Sequence, residues 1–218
     1  MSVTPVRPLR FISLAVGEIQ SNCHLLLAPD RPQALVVDPG YEADRIDDTL
    51  RREGLSVAAY LITHGHFDHV TALAEMVRRH PAPVGLHPAD AAWAFSPLPG
   101  RFQFFPTPKA PPHIDRAWAD GQEWEDAGLR YRVIATPGHS PGGVCLHFPE
   151  AGLLVAGDTL FQGSIGRLDL PLAEPAAMAD SLRKLLALPD ATVVLPGHGP
   201  ATTIGAERAH NPFLQDLA

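Results

Sequence analysis

Four apolar, strand-like runs in this chain each end in a turn that carries histidine or aspartate. Residues 57–63 lead into His64-Gly65-His66-Phe67-Asp68-His69, and residues 129–135 lead into Thr136-Pro137-Gly138-His139. Residues 153–156 lead into Gly157-Asp158-Thr159, and residues 192–195 lead into Pro196-Gly197-His198-Gly199. Proline and glycine in these turns stop a strand and favour a loop directly after it. Side chains two apart in an extended segment project to the same side, so His64 and His66 can face one ion while Gly65 adds no bulk. Asp68 and His69 turn with the chain toward a second ion. Imidazole and carboxylate suit zinc, iron or manganese, and paired ions about 3.5 to 4 Å apart are a common hydrolytic arrangement. Taken singly, Asp158 could equally cap a helix; its co-occurrence with His139 and His198, each after a strand end, makes it a ligand candidate.

Periodicity supplies the remaining elements. Arg10–Val16 and residues 23–28 and 34–37 read as strands, the last closed by Asp38-Pro39-Gly40. Over residues 42–53, Ile46 and Leu50 recur among charges, which predicts an amphipathic helix ended by Gly54. Val70, Leu73, Ala74 and Val77 follow one helical stripe directly after the histidine cluster. A short strand at 84–86, one or two helical turns over 88–94 and a proline-rich irregular stretch over 96–112 come next. The second half adds a strand at 144–148 and a helix opened by Pro175, with Met178, Leu182, Leu185 and Leu186 on its inner face. Strands alternating with helices after an opening meander predict an α/β (α+β) architecture of sheets covered by helices on their outer faces. No repeat or linker divides the chain, so residues 1–218 read as one domain.

Acidic residues outnumber basic ones, 24 to 17, and no run of lysine or arginine offers the positive face that a nucleic acid or an anionic membrane requires. Cys23 and Cys145 are the only cysteines, too few for a disulfide framework and without Cys-x-x-Cys spacing, and they read as small buried hydrophobes. The apolar stretch at 11–16 is too short for a signal-peptide core, and nothing reaches membrane-spanning length, so a cytoplasmic location is expected. His24, His80, His87, His113, His147 and His210 lack a motif and read as surface or satisfied structural residues. Arg167, in Gly166-Arg167-Leu168-Asp169, reads as a salt-bridging or loop-bracing residue, with contact to an anionic substrate as the alternative.

Thr63-His64-Gly65-His66-Phe67-Asp68-His69, Thr136-Pro137-Gly138-His139-Ser140-Pro141-Gly142, Gly157-Asp158-Thr159-Leu160-Phe161, Gly166-Arg167 and Pro196-Gly197-His198-Gly199 together resemble the metallo-β-lactamase superfamily. Within it, the chain looks like a short member of the glyoxalase II-like hydrolases, with the resemblance running from Asn22-Cys23 to Pro200. It implies a four-layer αββα sandwich in which His64, His66 and His139 bind one metal, Asp68, His69 and His198 bind the other, and Asp158 bridges both. Two departures stand out. Val70-Thr71 replaces the glycine pair that often follows the Asp-His, and only nineteen residues (218 minus 199) follow Gly199, where full-length glyoxalase II carries a helical glutathione-binding domain.

The leading expectation is therefore a dinuclear hydrolase, with zinc foremost and iron or manganese as alternatives. It would cleave a small-molecule thioester, such as S-2-hydroxyacylglutathione, by a metal-bound hydroxide that Asp68 orients and relieves of its proton. A persulfide dioxygenase with one iron, a lactone or β-lactam hydrolase and a non-catalytic metal-binding module are the competing readings. Residues 93–109, which carry Trp93, Phe95, Arg101, Phe102, Phe104, Phe105 and Lys109, read either as a substrate wall or lid or as an ordinary packed loop.

Overall fold

The computed structural model describes residues 9–97, 106–215 and 217. Arg10–Val16 (β1), Ser21–Leu27 (β2) and Gln33–Val37 (β3) form the opening antiparallel meander. The chain crosses through Ala43–Arg52 (α1) to Ser56–Leu61 (β4), parallel to β3. It crosses again through Phe67–Val70 (α2) and Leu73–Arg79 (α3) to Val84–Leu86 (β5), parallel to β4. Pro88–Ala91 (α4) then precedes Arg116–Ala117 (β6), and the first sheet has the order β1-β2-β3-β4-β5-β6. Glu123–Asp126 (β7), Leu129–Ala135 (β8), Val144–Phe148 (β9) and Leu153–Gly157 (β10) make a second antiparallel meander. After the small hairpin of Leu160–Phe161 (β11) and Ser164–Ile165 (β12), helix Pro175–Leu186 (α5) carries the chain to Val193–Pro196 (β13), parallel to β10. Thr202–Thr203 (β14) and Ile204–His210 (α6) follow, and the second sheet has the order β14-β13-β10-β9-β8-β7.

Alternate residues of the strands enter different cores, because successive side chains leave opposite faces of a sheet. From β2 and β3, Cys23, Leu25, Ala34 and Val36 pack under α1 and α3 against Ile46, Leu50, Leu73 and Met76. Their neighbours Leu26, Leu35 and Val37 face the other sheet and meet Tyr131, Val133, Leu146, Phe148 and Val155. On the far side of that sheet, Cys145, Leu154, Ala156 and Val194 pack under Met178, Leu182 and Leu185 of α5 and Ile204 of α6. Three stacked cores between four layers make the αββα sandwich. Cys23 and Cys145 are free and buried, as the sequence predicts. No helix among the described residues is long and apolar enough to cross a membrane.

Strand direction gathers the histidine- and aspartate-bearing turns at one edge. β10 and β13 are parallel, and β8 runs the same way because β9 is antiparallel to both β8 and β10. The turns holding His139, Asp158 and His198 therefore leave the second sheet at the same end. β4 of the first sheet joins them there, where the Val144 amide donates to the Thr63 carbonyl at 2.9 Å.

The single helical stripe predicted after His69 is broken in two. The Ala72 amide donates to Pro39 and Gly40 at 3.1 and 3.0 Å, and the Asp68 carbonyl accepts the Ser21 hydroxyl at 2.6 Å. The hydrogen bond that would join Ala72 to Asp68 in a continuous helix is thus replaced at both ends. Strands β6, β7, β11, β12 and β14 and helix α6 have no counterpart in the sequence reading. Four of these strands are two residues long, too short to show a period, and β7 is a polar edge.

Candidate metal centre

Seven side chains singled out in the sequence converge at the gathered strand ends. Six fall into two sets whose potential ligand atoms lie within 4.8 Å of one another: His64 with His66 and His139, and Asp68 with His69 and His198. His66 Nδ1 and His139 Nε2 stand 2.8 Å apart. Asp158 lies between the sets. Its Oδ2 is 3.3 Å from His139 Nε2 and 3.6 Å from His198 Nε2, and its Oδ1 is 3.4 Å from His69 Nε2. One carboxylate thus reaches a nitrogen of each set.

Neighbouring groups fix which ring nitrogen of three histidines faces inward. His139 Nδ1 donates to the Arg167 carbonyl at 2.8 Å, which leaves Nε2 to the cluster. His69 Nδ1 donates to Asp38 Oδ2 at 3.0 Å, and His64 Nδ1 meets the Thr63 hydroxyl at 3.1 Å. The Nε2 atoms of His64 and His69 and Oδ1 of Asp158 are buried with no hydrogen-bond partner. Buried polar atoms are rarely left unmade, because each costs about 1–3 kcal/mol. Several such atoms aimed at one point, from nitrogen and carboxylate donors, fit a bound cation.

The electrostatics agree with that fit. Burial drives His64 well below its usual pKa, and the surrounding imidazoles add to the effect. Burial also lowers His66 to about 3, with His139 reinforcing it. Burial opposes ionisation of Asp68, yet His69 and His198 outweigh it and hold the carboxyl below the usual range. Burial opposes a charge on His69 as well, but Asp68, Asp158 and Asp38 raise it to about 10. In the first set His64 and His66 offer unprotonated imidazoles, and the second set, with Asp68 held ionised beside Asp158, favours positive charge. Both conditions favour a divalent ion.

Asp38 and the start of β2 escaped the sequence reading. Asp38, in the left-handed conformation at φ 48°, accepts the Thr63 amide at 2.8 Å and the Thr63 hydroxyl at 2.6 Å besides His69. It orients His69 and ties down the strand end that leads to His64 and His66, the placement of an outer-shell partner in a metal site. Asn22 Nδ2 donates to the carbonyls of Pro196 and Gly199, both at 2.9 Å, and so holds the His198 turn. The sequence signal was Asp38-Pro39-Gly40 itself, read only as a strand terminator. His24 is buried and satisfied by Ser13 at 2.8 Å and the Pro196 carbonyl at 3.1 Å, as expected of a structural histidine. Arg167 pairs with Asp169 through two contacts of 2.9 Å, the bracing role its sequence context predicts.

A cleft of about 290 Å³ opens onto the cluster, with His66, Asp68, His139, Asp158 and His198 at its floor and Ile19, Phe67, Phe161, Leu170 and Pro171 along its walls. Of the lid sought in residues 93–109, Arg101, Phe102, Phe104 and Phe105 lie outside the described residues. Trp93 is described, with its ring centroid 5.3 Å from that of His66.

Known proteins similar to this chain in sequence and fold are numerous. The chain is 37% identical over 212 residues to the probable metallo-hydrolase YqgX of Bacillus subtilis, covering 96% of this chain and 100% of that one. It is 33% identical over 204 residues to the hydroxyacylglutathione hydrolase GloC of Haemophilus influenzae, covering 92% and 96%. Among solved structures, the BLEG-1 B3 metallo-beta-lactamase superposes with a TM-score of 0.88 at 38% identity, covering 94% of this chain and 99% of that one. The di-iron-bound form of TTHA1623 gives 0.83 at 40% identity, covering 93% and 100%. Residues 16–198, from the end of β1 to the last histidine of the cluster, match the Metallo-beta-lactamase superfamily, and the chain belongs to that superfamily.

Proposed function

We propose that the chain is a dinuclear metal-dependent thioesterase, acting on a small-molecule thioester such as S-2-hydroxyacylglutathione. The observation that carries this reading is Asp158, whose carboxylate reaches His139 of the first set through Oδ2 and His198 and His69 of the second through Oδ2 and Oδ1, at the floor of a substrate-sized cleft. In this reading His64, His66 and His139 hold the first ion, Asp68, His69 and His198 hold the second, and Asp158 is shared. Zinc suits the donors best; iron or manganese also fits, and the di-iron form of TTHA1623 supports iron. Two such ions supply Lewis-acid polarisation of a carbonyl and activation of water when bound.

The chain's own residues do the rest. Asp68 stays ionised through neutral pH, lines the cleft and takes the proton of the attacking water. Phe67 and Phe161 flank the floor and exclude bulk water from it. A thiol, of pKa about 8.5, leaves as thiolate with little acid assistance. The name of GloC supports a thioester over other bonds.

Thiol release should be followed on a thioester panel, alongside a lactone, a β-lactam and glutathione persulfide, with the protein loaded in turn with Zn(II), Fe(II) and Mn(II). Turnover confined to thioesters is the expected result. Oxygen uptake with the persulfide, or turnover of the lactone or β-lactam alone, overturns the reading. His66→Ala and Asp158→Ala should abolish thiol release while leaving the circular dichroism spectrum unchanged.

A further inference from the structure

We infer that Asp90 is a positioning residue that sets the spacing between the two histidine-bearing turns of the first donor set. Asp90 lies in α4, outside every motif of the cluster, and is 0% exposed. Its Oδ2 accepts the Gly65 amide and the Ser140 hydroxyl, both at 2.7 Å, and its Oδ1 accepts the Gly142 amide at 2.7 Å. Gly65 separates His64 from His66, and Ser140 follows His139. One carboxylate therefore ties together the two turns whose imidazoles meet 2.8 Å apart on the other side. The close approach explains both glycines. A Cβ on Gly142 would stand 2.7 Å from the Asp90 amide nitrogen, and one on Gly65 would stand 2.9 Å from Ala94 Cβ and 3.2 Å from Asp90 Cβ.

A buried carboxylate is costly to keep, and three donors from two separate turns are what make this one tolerable. Asparagine has the same shape but cannot replace it. Whichever way the amide is turned, its NH₂ faces an N–H or O–H donor, and a donor left unmatched beside another opens the gap. The role rests on the reading of His64, His66 and His139 as metal ligands, so its test measures binding and not turnover. Apo protein and the variants Asp90→Asn and Ser140→Ala are titrated with Co(II) and followed by the absorption bands of the bound ion. Wild-type protein should take up two equivalents. In Asp90→Asn one equivalent should weaken by about 10–100-fold while the other keeps its affinity, as for other outer-shell partners. Ser140→Ala, which removes one of three bonds and folds with less risk, should move the same equivalent less. Wild-type affinity at both sites in a merely less stable Asp90→Asn, or equal weakening of both, overturns the inference. A wild-type protein that binds no Co(II) defeats the metal reading as well.

The walls of the cleft differ in chemistry from its floor, and they point independently to the substrate's acyl group. Ile19 from the β1–β2 turn and Phe67, Phe161, Leu170 and Pro171 present apolar surface beside the cluster, and the one arginine or lysine lining the cleft among the described residues, Arg167, has its charge paired with Asp169. Ile19 is 47% exposed, and Leu172, beside Pro171, is 48% exposed and held at φ 68°. A large apolar side chain left open on a cleft wall, and a non-glycine residue held in the left-handed region next to that wall in the chain, are features that binding sites retain at a cost. We propose that the acyl group accepted here is an uncharged aliphatic chain lying along Ile19, Phe67 and Leu170. Burying a methylene is worth about 0.8 kcal/mol, close to a fourfold change. kcat/KM measured on glutathione thioesters from acetyl to octanoyl should therefore climb about two- to fourfold per methylene until the cleft is filled, and Ile19→Asp should flatten the climb. A flat or falling series with short acyl groups still turned over overturns this proposal and leaves thioester hydrolysis standing. No turnover at any length overturns both.

Discussion

Gly197 sits against the centre of the cluster, and nothing larger fits. A Cβ there would lie 2.1 Å from Asp158 Oδ1 and 2.8 Å from His69 Cε1, so Gly197→Ala must push the shared carboxylate away from His69. Displacing a reacting group by about 1 Å costs on the order of 100-fold in rate. Gly197→Ala should accordingly lose kcat/KM by about that factor and bind less than two equivalents of metal, measured by elemental analysis after desalting. Retention of full activity would show that Asp158 is not held where the geometry puts it. At this scale the seven side chains that converge were legible in the sequence, because each follows a strand end and carries donor atoms suited to a metal. Asp38 and Asp90 were not. An aspartate in a turn or a short helix has many ordinary uses, and only the fold brings Asp38 to His69 and Asp90 to Gly65, Ser140 and Gly142.

Helix α5 connects the outer layer to the first donor set. Its face of Met178, Leu182 and Leu185 is buried on the second sheet, the Ser181 hydroxyl donates to the Pro137 carbonyl at 2.6 Å, and the Glu174 amide donates to the Gly138 carbonyl at 2.7 Å. Leu182→Ala should cost about 2–5 kcal/mol of stability by chemical denaturation, the range for emptying a core leucine site. Metal stoichiometry should survive, since the bonds to the His139 turn come from Ser181 and from Glu174 just before the helix; its loss would place Leu182 in the site's support. The apolar periodicity of α5 was readable, but its grip on residues 137 and 138 was not, because both bonds involve carbonyl groups that every residue carries. Strand β2 makes a comparable link across the sheets through His24, whose two nitrogens engage Ser13 and the Pro196 carbonyl. Burial lowers His24 to about 4 from 6.5, so between these values the unfolded chain binds a proton that the folded chain refuses. The stability this contributes is complete above pH 6.5 and is lost as pH falls toward 4, amounting to about 3 kcal/mol at most. Urea midpoints of His24→Gln should fall less steeply across that window than those of the unsubstituted protein; an equal slope would mean that His24 keeps its proton in the fold.

The whole sandwich has its two sheets meeting at the cluster, and this makes metal a structural component as well as a chemical one. The donor turns end β4 of the first sheet and β8, β10 and β13 of the second, and Asn22 at the start of β2 reaches across to the carbonyls of residues 196 and 199. An ion held by residues from both sheets binds the folded chain and has no comparable site in the unfolded one. At a free concentration one hundred times its dissociation constant, it stabilises the fold by about 2.7 kcal/mol. For a chain of this size each kcal/mol moves the melting temperature by about 2–4 °C, so removing one ion with a chelator should lower Tm by about 5–11 °C. Adding Zn(II) back should restore it. The two donor sets also separate in this measurement. His66→Ala keeps Asp68, His69 and His198 intact and should retain part of the metal-dependent shift, whereas Asp158→Ala, which touches both sets, should lose more of it. Equal shifts in the two variants would mean that Asp158 serves one ion only, and an unchanged Tm on chelation of the unsubstituted protein would mean that the cluster stands without metal.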